Sequence, residues 1–289
     1  MAAQKVAFQG EPGAYGEIAT LSFFPKAELL PAKSFQNVFE SLESGTVDFA
    51  VIPIENSIEG SVNETYDLLL KTNMVVCGEI YQQIRHCLII NPGVDSSKIT
   101  SVYSHPQALA QCREYLQNKN LEPIPTYDTA GAVKMIKQNK MKDAAAIASK
   151  RAANLYGMEI WEQGIEDKKN NYTRFLVLSK VGSEPTGRDG TSMIFSVRHT
   201  PGALFEILEE FAKRRINLTK IESRPTKEVP WEYYFYVDFE GHSLDKQISD
   251  LIEAVRKKAV FIKILGSYKK GEFHQSRSSI GSLALDLVL

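Results

Sequence analysis

A run of residues that interrupt regular structure divides this chain of 289 residues into two regions. Residues 182–190 contain three glycines, one proline and three charged side chains. Glycine and proline break helices and strands, so this composition is typical of a linker. We therefore predict a larger domain at 4–180, a linker at 181–190, a smaller domain at 191–270, and a tail at 271–289 that the pattern does not assign to any element.

The composition is that of an ordinary globular protein. The chain is 43% hydrophobic and 24% charged, and its formal net charge of -1 gives no reason to expect nucleic acid or an anionic membrane as a partner. It has no apolar run long enough to span a bilayer, and residues 1–6 lead into a strand without a signal-peptide core. Three scattered cysteines lack metal-ligand spacing, so we expect a cytoplasmic protein without a metal site.

Strands and helices alternate through the larger domain, which predicts an α/β fold. The pattern includes a helix at residues 34–42 with Ser34 as its cap, and a helix that runs from Ser104 through Leu116. Ser104 is predicted to cap that second helix, with Gln107 completing a capping box. The smaller domain has the order β-α-β-β-α-β, which predicts a ferredoxin-like fold.

Polar residues occur where several predicted strands begin or end. Residues 171–175 (Asn171-Tyr172-Thr173-Arg174-Phe175) open an apolar strand. Neighbouring strand residues point to opposite faces, so Thr173 and Phe175 should share one face and Arg174 should lie on the other. Threonine also favours strands for steric reasons, so a purely structural role for Thr173 stays open.

These motifs, taken in order, resemble those of prephenate dehydratases with a C-terminal ACT regulatory domain. The similarity covers about residues 6–268. The motifs that carry it are residues 10–15, 53–57 with 60–62, 104–109, 171–175, 202–204 and 222–225. Gly16 stands where the family usually has serine, and no chorismate mutase helix precedes residue 5, which suggests the monofunctional form.

The resemblance implies a catalytic region of two α/β lobes, like a periplasmic binding protein, with a cleft between them. Lobe one would hold about residues 4–84 plus 161–180, and lobe two about 85–160. The implied reaction is the decarboxylating dehydration of prephenate to phenylpyruvate in L-phenylalanine biosynthesis, a hydro-lyase reaction that needs no cofactor. Arogenate dehydratase and a non-catalytic amino-acid sensor are the alternatives.

The resemblance assigns a catalytic role to Thr173, whose hydroxyl would hydrogen-bond to or protonate the departing oxygen. Asn56 and Ser57 would offer neutral donors to the pyruvyl group, and Phe175 would pack either on the diene ring or in the core. Arg174 would clamp a substrate carboxylate or pair with Glu55 and brace the lobes. Beside a dianionic substrate Glu55 would either point away or be held protonated, and we favour the first.

Substrate-binding roles are implied for seven further residues. Glycine at positions 10 and 13 would let the loop that includes Ala14 and Tyr15 approach the substrate closely. Ser104 and the helix that follows it would form an anion site. His105 is a general acid or a surface residue, and Gln107 is first a capping partner. The predicted substrate-binding set is Gly10, Gly13, Ala14, Tyr15, Ser104, His105 and Gln107.

The smaller domain carries the motifs that resemble a phenylalanine site. Its predicted residues are Gly202, Ala203, Leu204, Glu222, Ser223, Arg224 and Pro225. Gly202 and the N–H groups that follow would receive a carboxylate, although a simple turn glycine is the alternative. The resemblance implies that L-phenylalanine, as allosteric inhibitor, binds between two such domains of different subunits, which requires a homo-oligomer, dimer or tetramer.

Overall fold

The computed structural model describes residues 3–227 and 229–272, so most of the tail at 271–289 lies outside the described residues. The strands of the larger domain are β1 (Lys5–Gln9), β2 (Glu28–Ala32), β3 (Phe49–Asn56), β4 (Gly60–Ser61), β5 (Val75–Gln83), β6 (Cys87–Ile90), β7 (Ser101–Ser104), β8 (Glu122–Pro125), β9 (Ala144–Ala148), β10 (Glu159–Gln163) and β11 (Tyr172–Ser179). Its helices are α1 (Tyr15–Phe23), α2 (Phe35–Glu43), α3 (Asn63–Lys71), α4 (Pro106–Gln111), α5 (Arg113–Asn118), α6 (Thr129–Gln138) and α7 (Lys150–Tyr156), with a 3₁₀ turn at Ser96–Lys98.

The larger domain consists of two lobes, each built on its own sheet. The sheet of lobe one has the order β2-β1-β3-β11-β5, with β4 paired to β3, and the sheet of lobe two has the order β10-β6-β9-β7-β8. Strand β11 returns from lobe two and pairs antiparallel with both β3 and β5. Strand β10 pairs with β6, so lobe two extends to Gln163, beyond the predicted end at residue 160.

The sequence patterns missed or merged several elements of the larger domain. Strands β2 and β8 contain prolines at 31, 123 and 125, and among the described strands each pairs with one neighbour, which suits proline because it lacks a backbone donor. The helix predicted from Ser104 is two helices that meet at Cys112, and its N-cap is His105 because Ser104 ends β7. The predicted Ser104–Gln107 capping box is therefore wrong.

The smaller domain has the predicted β-α-β-β-α-β order. Its elements are β12 (Asp189–Ser196), α8 (Ala203–Lys213), β13 (Leu218–Pro225), β14 (Tyr233–Glu240), α9 (Lys246–Arg256) and β15 (Phe261–Lys269), and its sheet has the order β13-β14-β12-β15. All of its strand pairs are antiparallel. Strand β12 begins two residues before the predicted domain boundary at 191.

The sheet of the smaller domain is covered on both faces. On one face α8 and α9 pack over a core that includes Phe195, Phe211 and Val237. On the other face Tyr236 and Leu265 join the core of lobe one. Glycine at 266 permits this contact, because a Cβ there would lie 2.1 Å from the carbonyl oxygen of Val76. The two domains therefore share a core instead of being joined only by the linker.

In the part of the chain that the structure describes, none of the helices combines the length and the apolar character that crossing a membrane would need.

Candidate active site

A cleft of about 350 Å³ opens between the two lobes. Of the residues predicted for the catalytic and substrate-binding site, seven line it: Ala14, Tyr15, Asn56, His105, Gln107, Thr173 and Phe175. Six others do not line it: Gly10, Gly13, Glu55, Ser57, Ser104 and Arg174. As the strand alternation predicts, Thr173 and Phe175 share the cleft face and Arg174 lies on the opposite side.

A β-bulge decides which residue of the 53–57 motif reaches the cleft. The register of β11 against β3 shifts between Arg174 and Phe175, which face Glu55 and Pro53 respectively. The extra residue in β3 reverses the alternation, so Pro53 and Asn56 both line the cleft although they are three residues apart. Bulges are common beside active sites because they re-aim a side chain in this way.

Asn56 holds the hydroxyl of Thr173 through its amide. Its Nδ2 donates to Thr173 Oγ1 at 3.0 Å, to Asn171 Oδ1 at 2.8 Å and to the Tyr172 carbonyl oxygen at 3.2 Å. Asn56 is 6% exposed and Asn171 is fully buried, so these bonds have little competition from water.

The same network continues into lobe two and returns to lobe one. Asn171 Nδ2 donates to Gln111 Oε1 at 2.9 Å, and His86 Nε2 lies 2.9 Å from the same oxygen. His86 Nδ1 lies 3.2 Å from the hydroxyl of Tyr15, which donates its one hydrogen to the Arg85 carbonyl oxygen at 2.6 Å. Burial lowers the pKa of His86, although Gln111 and Glu166 oppose this effect, so the ring is neutral near pH 7.

Within the described part of the chain, five helices begin at the cleft: α1, α2, α3, α4 and α6 each place their N-cap or first residue in its wall. Helix N-termini carry partial positive charge and free N–H groups. The N-caps of α1 and α3, Ala14 and Val62, make no side-chain capping bond. Among the described residues that line the cleft there is no lysine or arginine. What the cleft offers an anion is therefore helix dipoles and neutral donors, beside the Asp128 carboxyl, whose pKa burial raises.

The glycine loop at 10–16 contacts lobe two instead of approaching the cleft through its glycines. Gly13 has a φ of 96°, and a Cβ there would lie 2.8 Å from Ala152 Cα in α7. Its carbonyl oxygen accepts from Ser149 Oγ at 2.6 Å. In the next turn Glu17 forms a double hydrogen bond with Arg151, at 2.7 and 2.9 Å. The expectation that these glycines approach the substrate is corrected by these contacts, which join the lobes.

Three more predicted residues make local contacts. Ser104 Oγ donates to the Ile147 carbonyl oxygen at 2.6 Å and is fully buried, so it does not offer its hydroxyl to the cleft. His105 Nδ1 accepts from the Gln107 backbone N–H at 3.2 Å. Ser57 Oγ donates to the Asn170 carbonyl oxygen and accepts from the Tyr172 N–H, so it fixes β11 to β3.

Arg174 connects lobe one to the smaller domain. Its guanidinium bonds Glu79 at 2.8 Å, Asp238 at 2.5 Å and the hydroxyl of Tyr268 at 3.0 Å. Burial alone would lower the pKa of Arg174, but Asp238, Tyr268 and Glu79 raise it well above its usual value, so the group stays charged. The expected Arg174–Glu55 pair is wrong, because Glu55 bonds Lys220 of the smaller domain at 2.8 Å.

The residues of the predicted phenylalanine motifs lie at the start of α8 and on the edge strand β13. Gly202, the N-cap of α8, has a φ of 84°, and Ala203 and Leu204 form the first turn. On β13, Glu222 accepts from Ser61 Oγ at 2.9 Å, whereas Ser223 and Pro225 are exposed. Arg224 bonds Asp67 at 3.2 Å and also Asn63, both in α3 of lobe one.

The predictions from sequence missed six cleft residues with polar side chains: Gln9, His86, Gln111, Tyr127, Asp128 and Thr129. Gln111 is a polar residue at a buried position of α4, which is a signal that could have been noticed. His86 is a lone histidine next to the apolar strand β6. Asp128 caps α6 by accepting from the Gly131 N–H at 2.7 Å, and burial raises the pKa of its carboxyl.

Together, a two-lobed cleft with a buried donor network and a docked β-α-β-β-α-β domain define an α/β enzyme with an attached regulatory domain. The chain belongs to the prephenate dehydratase family: the model of that family matches residues 6–183, and the ACT domain model matches residues 191–257.

Individual relatives are similar over nearly the whole chain. The arogenate dehydratase/prephenate dehydratase 2 of Arabidopsis thaliana chloroplasts is 44% identical, over 91% of this chain and 72% of the relative. A solved structure of prephenate dehydratase from Arthrobacter aurescens in complex with L-Phe is 31% identical, with a TM-score of 0.85, over 92% of this chain and 90% of that one. A solved quorum-quenching acylase is also 31% identical, with a TM-score of 0.86, over 92% and 98% of the two chains.

Proposed function

We propose that this chain converts prephenate to phenylpyruvate in the interlobe cleft and that L-phenylalanine inhibits it through the ACT domain. Prephenate loses its ring carboxylate as carbon dioxide and its ring hydroxyl as hydroxide, which is protonated to water. The bonding electrons of the carboxylate complete the aromatic ring. Because hydroxide is a poor leaving group, a proton donor at that oxygen is what the reaction needs most.

The observation that carries the proposal is the hydrogen bond from Asn56 to Thr173. An amide nitrogen can only donate, so Thr173 Oγ1 accepts from it and keeps its own proton for another acceptor. Thr173 lines the cleft, so the leaving oxygen of a bound substrate is that acceptor. The hydroxyl is oriented before the substrate arrives, which lowers the cost of reaching the transition state.

The electrostatics of the cleft also suit this substrate. Prephenate carries two carboxylates, and the ring carboxylate must leave as neutral carbon dioxide. A lysine or arginine beside that group would stabilise the starting material more than the transition state. The helix N-termini at Ala14 and Val62 can bind the other carboxylate without such a cation.

The surroundings of Thr173 favour proton donation over the acyl chemistry for which the similar quorum-quenching acylase is named. A nucleophilic hydroxyl needs a base within hydrogen-bonding distance. Among the described residues, the side chain that contacts Thr173 Oγ1 is the amide of Asn56, which cannot accept its proton. This observation supports the dehydratase.

Contacts between the domains support regulation by the ACT domain. Helix α3 begins at the cleft, and its sides and C-terminal end contact Arg224, Tyr236 and Lys263 of the smaller domain. A ligand that moves the ACT domain would therefore move a helix that forms part of the cleft. We propose a homo-oligomer formed through the ACT domains, with exposed Phe205, Ile221 and Trp231 contributing, and a cytoplasmic location.

The test is to supply purified protein with prephenate and with arogenate separately and to measure both products. Phenylpyruvate is followed by its ultraviolet absorbance in alkali and phenylalanine by chromatography. We expect turnover of prephenate and inhibition by L-phenylalanine. Turnover of arogenate alone would identify arogenate as the substrate of the same decarboxylating dehydration. Turnover of neither substrate by folded protein would refute the proposal.

A further inference from the structure

The direction of the hydrogen bonds around Asn56 is fixed by backbone groups. Its Oδ1 accepts from the N–H groups of Ile58 and Glu59 at 2.9 and 3.0 Å. The other terminal atom of the Asn56 side chain, Nδ2, lies 3.2 Å from the carbonyl oxygen of Tyr172, and a carbonyl oxygen can only accept. Both contacts require the NH₂ group of Asn56 to point toward β11.

This direction extends to His86. Asn171 must present Oδ1 to the Asn56 NH₂, so its own NH₂ faces Gln111. Gln111 must then present Oε1 to Asn171, and that same oxygen faces His86 Nε2 at 2.9 Å. An oxygen that only accepts requires a hydrogen on Nε2, so neutral His86 carries its proton there and leaves Nδ1 unprotonated. The Tyr15 hydroxyl lies 3.2 Å from Nδ1 but donates its one hydrogen to the Arg85 carbonyl oxygen at 2.6 Å.

The chain of bonds also orients Gln111. With its oxygen shared by Asn171 and His86, its NH₂ group is the end left for the cleft, whose wall Gln111 joins. Within residues 3–227 and 229–272 this NH₂ has no hydrogen-bond partner, although the side chain is only 8% exposed. It is therefore a donor held ready for a ligand in the cleft.

We propose that His86 is a positioning residue for the reaction: its Nε2–H is a second donor to the Gln111 oxygen and so holds the Gln111 amide in the orientation that directs its NH₂ group into the cleft. Tyr15 belongs to lobe one and packs edge-on against the His86 ring, with the ring centroids 5.6 Å apart, so the position of His86 depends on how the lobes meet. The inference rests on the proposed function for its catalytic consequence.

An ordinary buried histidine would stabilise the fold by filling space. The two roles differ in what they require at position 86. Packing requires volume, whereas positioning requires a hydrogen-bond donor at the place of Nε2. His86→Gln keeps a donor near that place, and His86→Leu keeps similar volume without it.

The first experiment measures kcat and KM for both variants with the better of the two substrates, together with their thermal unfolding. We expect His86→Leu to lose about 10²-fold in kcat, the usual cost of a misplaced catalytic group, with KM changed less than about threefold. His86→Gln should recover most of that loss. Equal kcat values in the two folded variants would overturn the proposal.

The matched control is His242→Leu in the ACT domain. His242 is also 2% exposed, and its Nε2 lies 3.0 Å from the Ser183 carbonyl oxygen. We expect its loss to lower stability and to leave uninhibited kcat close to that of the natural protein. A fall in kcat as large as that of His86→Leu would show a general effect of losing a buried histidine, and would also overturn the proposal.

A second measurement does not depend on turnover. The ¹⁵N shifts of the ring nitrogens, assigned by comparison with His86→Gln, report which nitrogen of His86 carries the proton. We expect protonated Nε2 and unprotonated Nδ1. A proton on Nδ1 would leave Nε2 without a hydrogen to donate to the Gln111 oxygen, and would refute the proposal even if the enzyme is active. Conversely, if the protein has the expected tautomer but does not turn over either substrate, the proposed function is refuted and the predicted tautomer of His86 is not.

Discussion

At the scale of single residues, the cleft depends on amides whose orientation the backbone fixes. Asn56 donates to Thr173 because its oxygen is occupied by two backbone N–H groups. A threonine hydroxyl has a pKa far too high to be a strong acid, so its alignment with the leaving oxygen has to compensate.

We expect Thr173→Val to lower kcat by about 10²–10⁴, the range for loss of a general acid, while substrate still binds. Valine has the shape of threonine and keeps the strand preference, so stability should change little. Thr173→Ser restores the hydroxyl and should restore part of the activity. Steady-state kinetics of the two variants check this, and a Val variant with nearly normal kcat would remove Thr173 from its role.

The sequence predicted part of this site from strand alternation, which places Thr173 and Phe175 on the cleft side and Arg174 on the other. It did not predict the partners of Arg174, because Glu79 and Asp238 come near it only through the pairing of distant strands. Gln111 and His86 were missed for the same reason. Their role depends on Asn171, which is 60 residues from Gln111.

At the scale of elements, α3 links the cleft to the ACT domain. Its N-terminus at Val62 opens on the cleft without a side-chain cap. At its other end, Lys263 of β15 donates to the carbonyl oxygens of Leu69 and Leu70 at 3.0 and 2.8 Å and also to that of Thr72. A cation at a helix C-terminus is favourable, because those carbonyls have no partner within the helix.

A pair of substitutions at Val62 tests whether the α3 N-terminus binds the anion. Asn and Asp both cap helices, so each should add stability of about 1 kcal/mol. Only Asp adds negative charge beside the dianion, and we expect its KM to exceed that of Val62→Asn by about tenfold. Initial-rate measurements at low salt compare them, and equal KM values would show that the carboxylates bind elsewhere.

The elements that sequence patterns predicted poorly are those set by tertiary contacts. The pattern of residues 104–116 suits one helix, but the chain turns at Cys112. The bulge in β3 has no sequence signal other than Pro53 inside a central strand. In contrast, the β-α-β-β-α-β order was predicted well, because each of its elements has strong local periodicity.

At the scale of the whole molecule, the ACT domain shares a core with lobe one, and this docking could not be predicted from sequence. The docking brings together α3, β5, β11 and the ACT sheet. These elements are far apart in the sequence, so their contacts produce no local sequence pattern. Deleting everything after Lys180 would therefore expose apolar residues of lobe one, including Tyr66 and Leu176, so point substitutions test regulation more cleanly.

We expect Lys263→Met to weaken inhibition by L-phenylalanine several-fold and to lower the free energy of unfolding by about 2 kcal/mol, since two carbonyls of α3 and that of its C-cap, Thr72, lose a charged donor. Activity without phenylalanine should change little. Inhibition curves and thermal unfolding measure both effects. Lys246→Met, at an exposed position of α9, is the control. An unchanged inhibition curve in Lys263→Met would exclude the contact of Lys263 with the C-terminal end of α3 as the link.

The glycine at 266 has a consequence for how such a protein can evolve. With a Cβ only 2.1 Å from the carbonyl oxygen of Val76, no other residue fits while β15 lies against β5. A regulatory domain taken from a distant relative would need both this glycine and a lysine at the place of Lys263. The ACT domain therefore cannot be exchanged between relatives on its own. We expect functional chimaeras to be those in which α3 and β5 are exchanged together with the ACT domain.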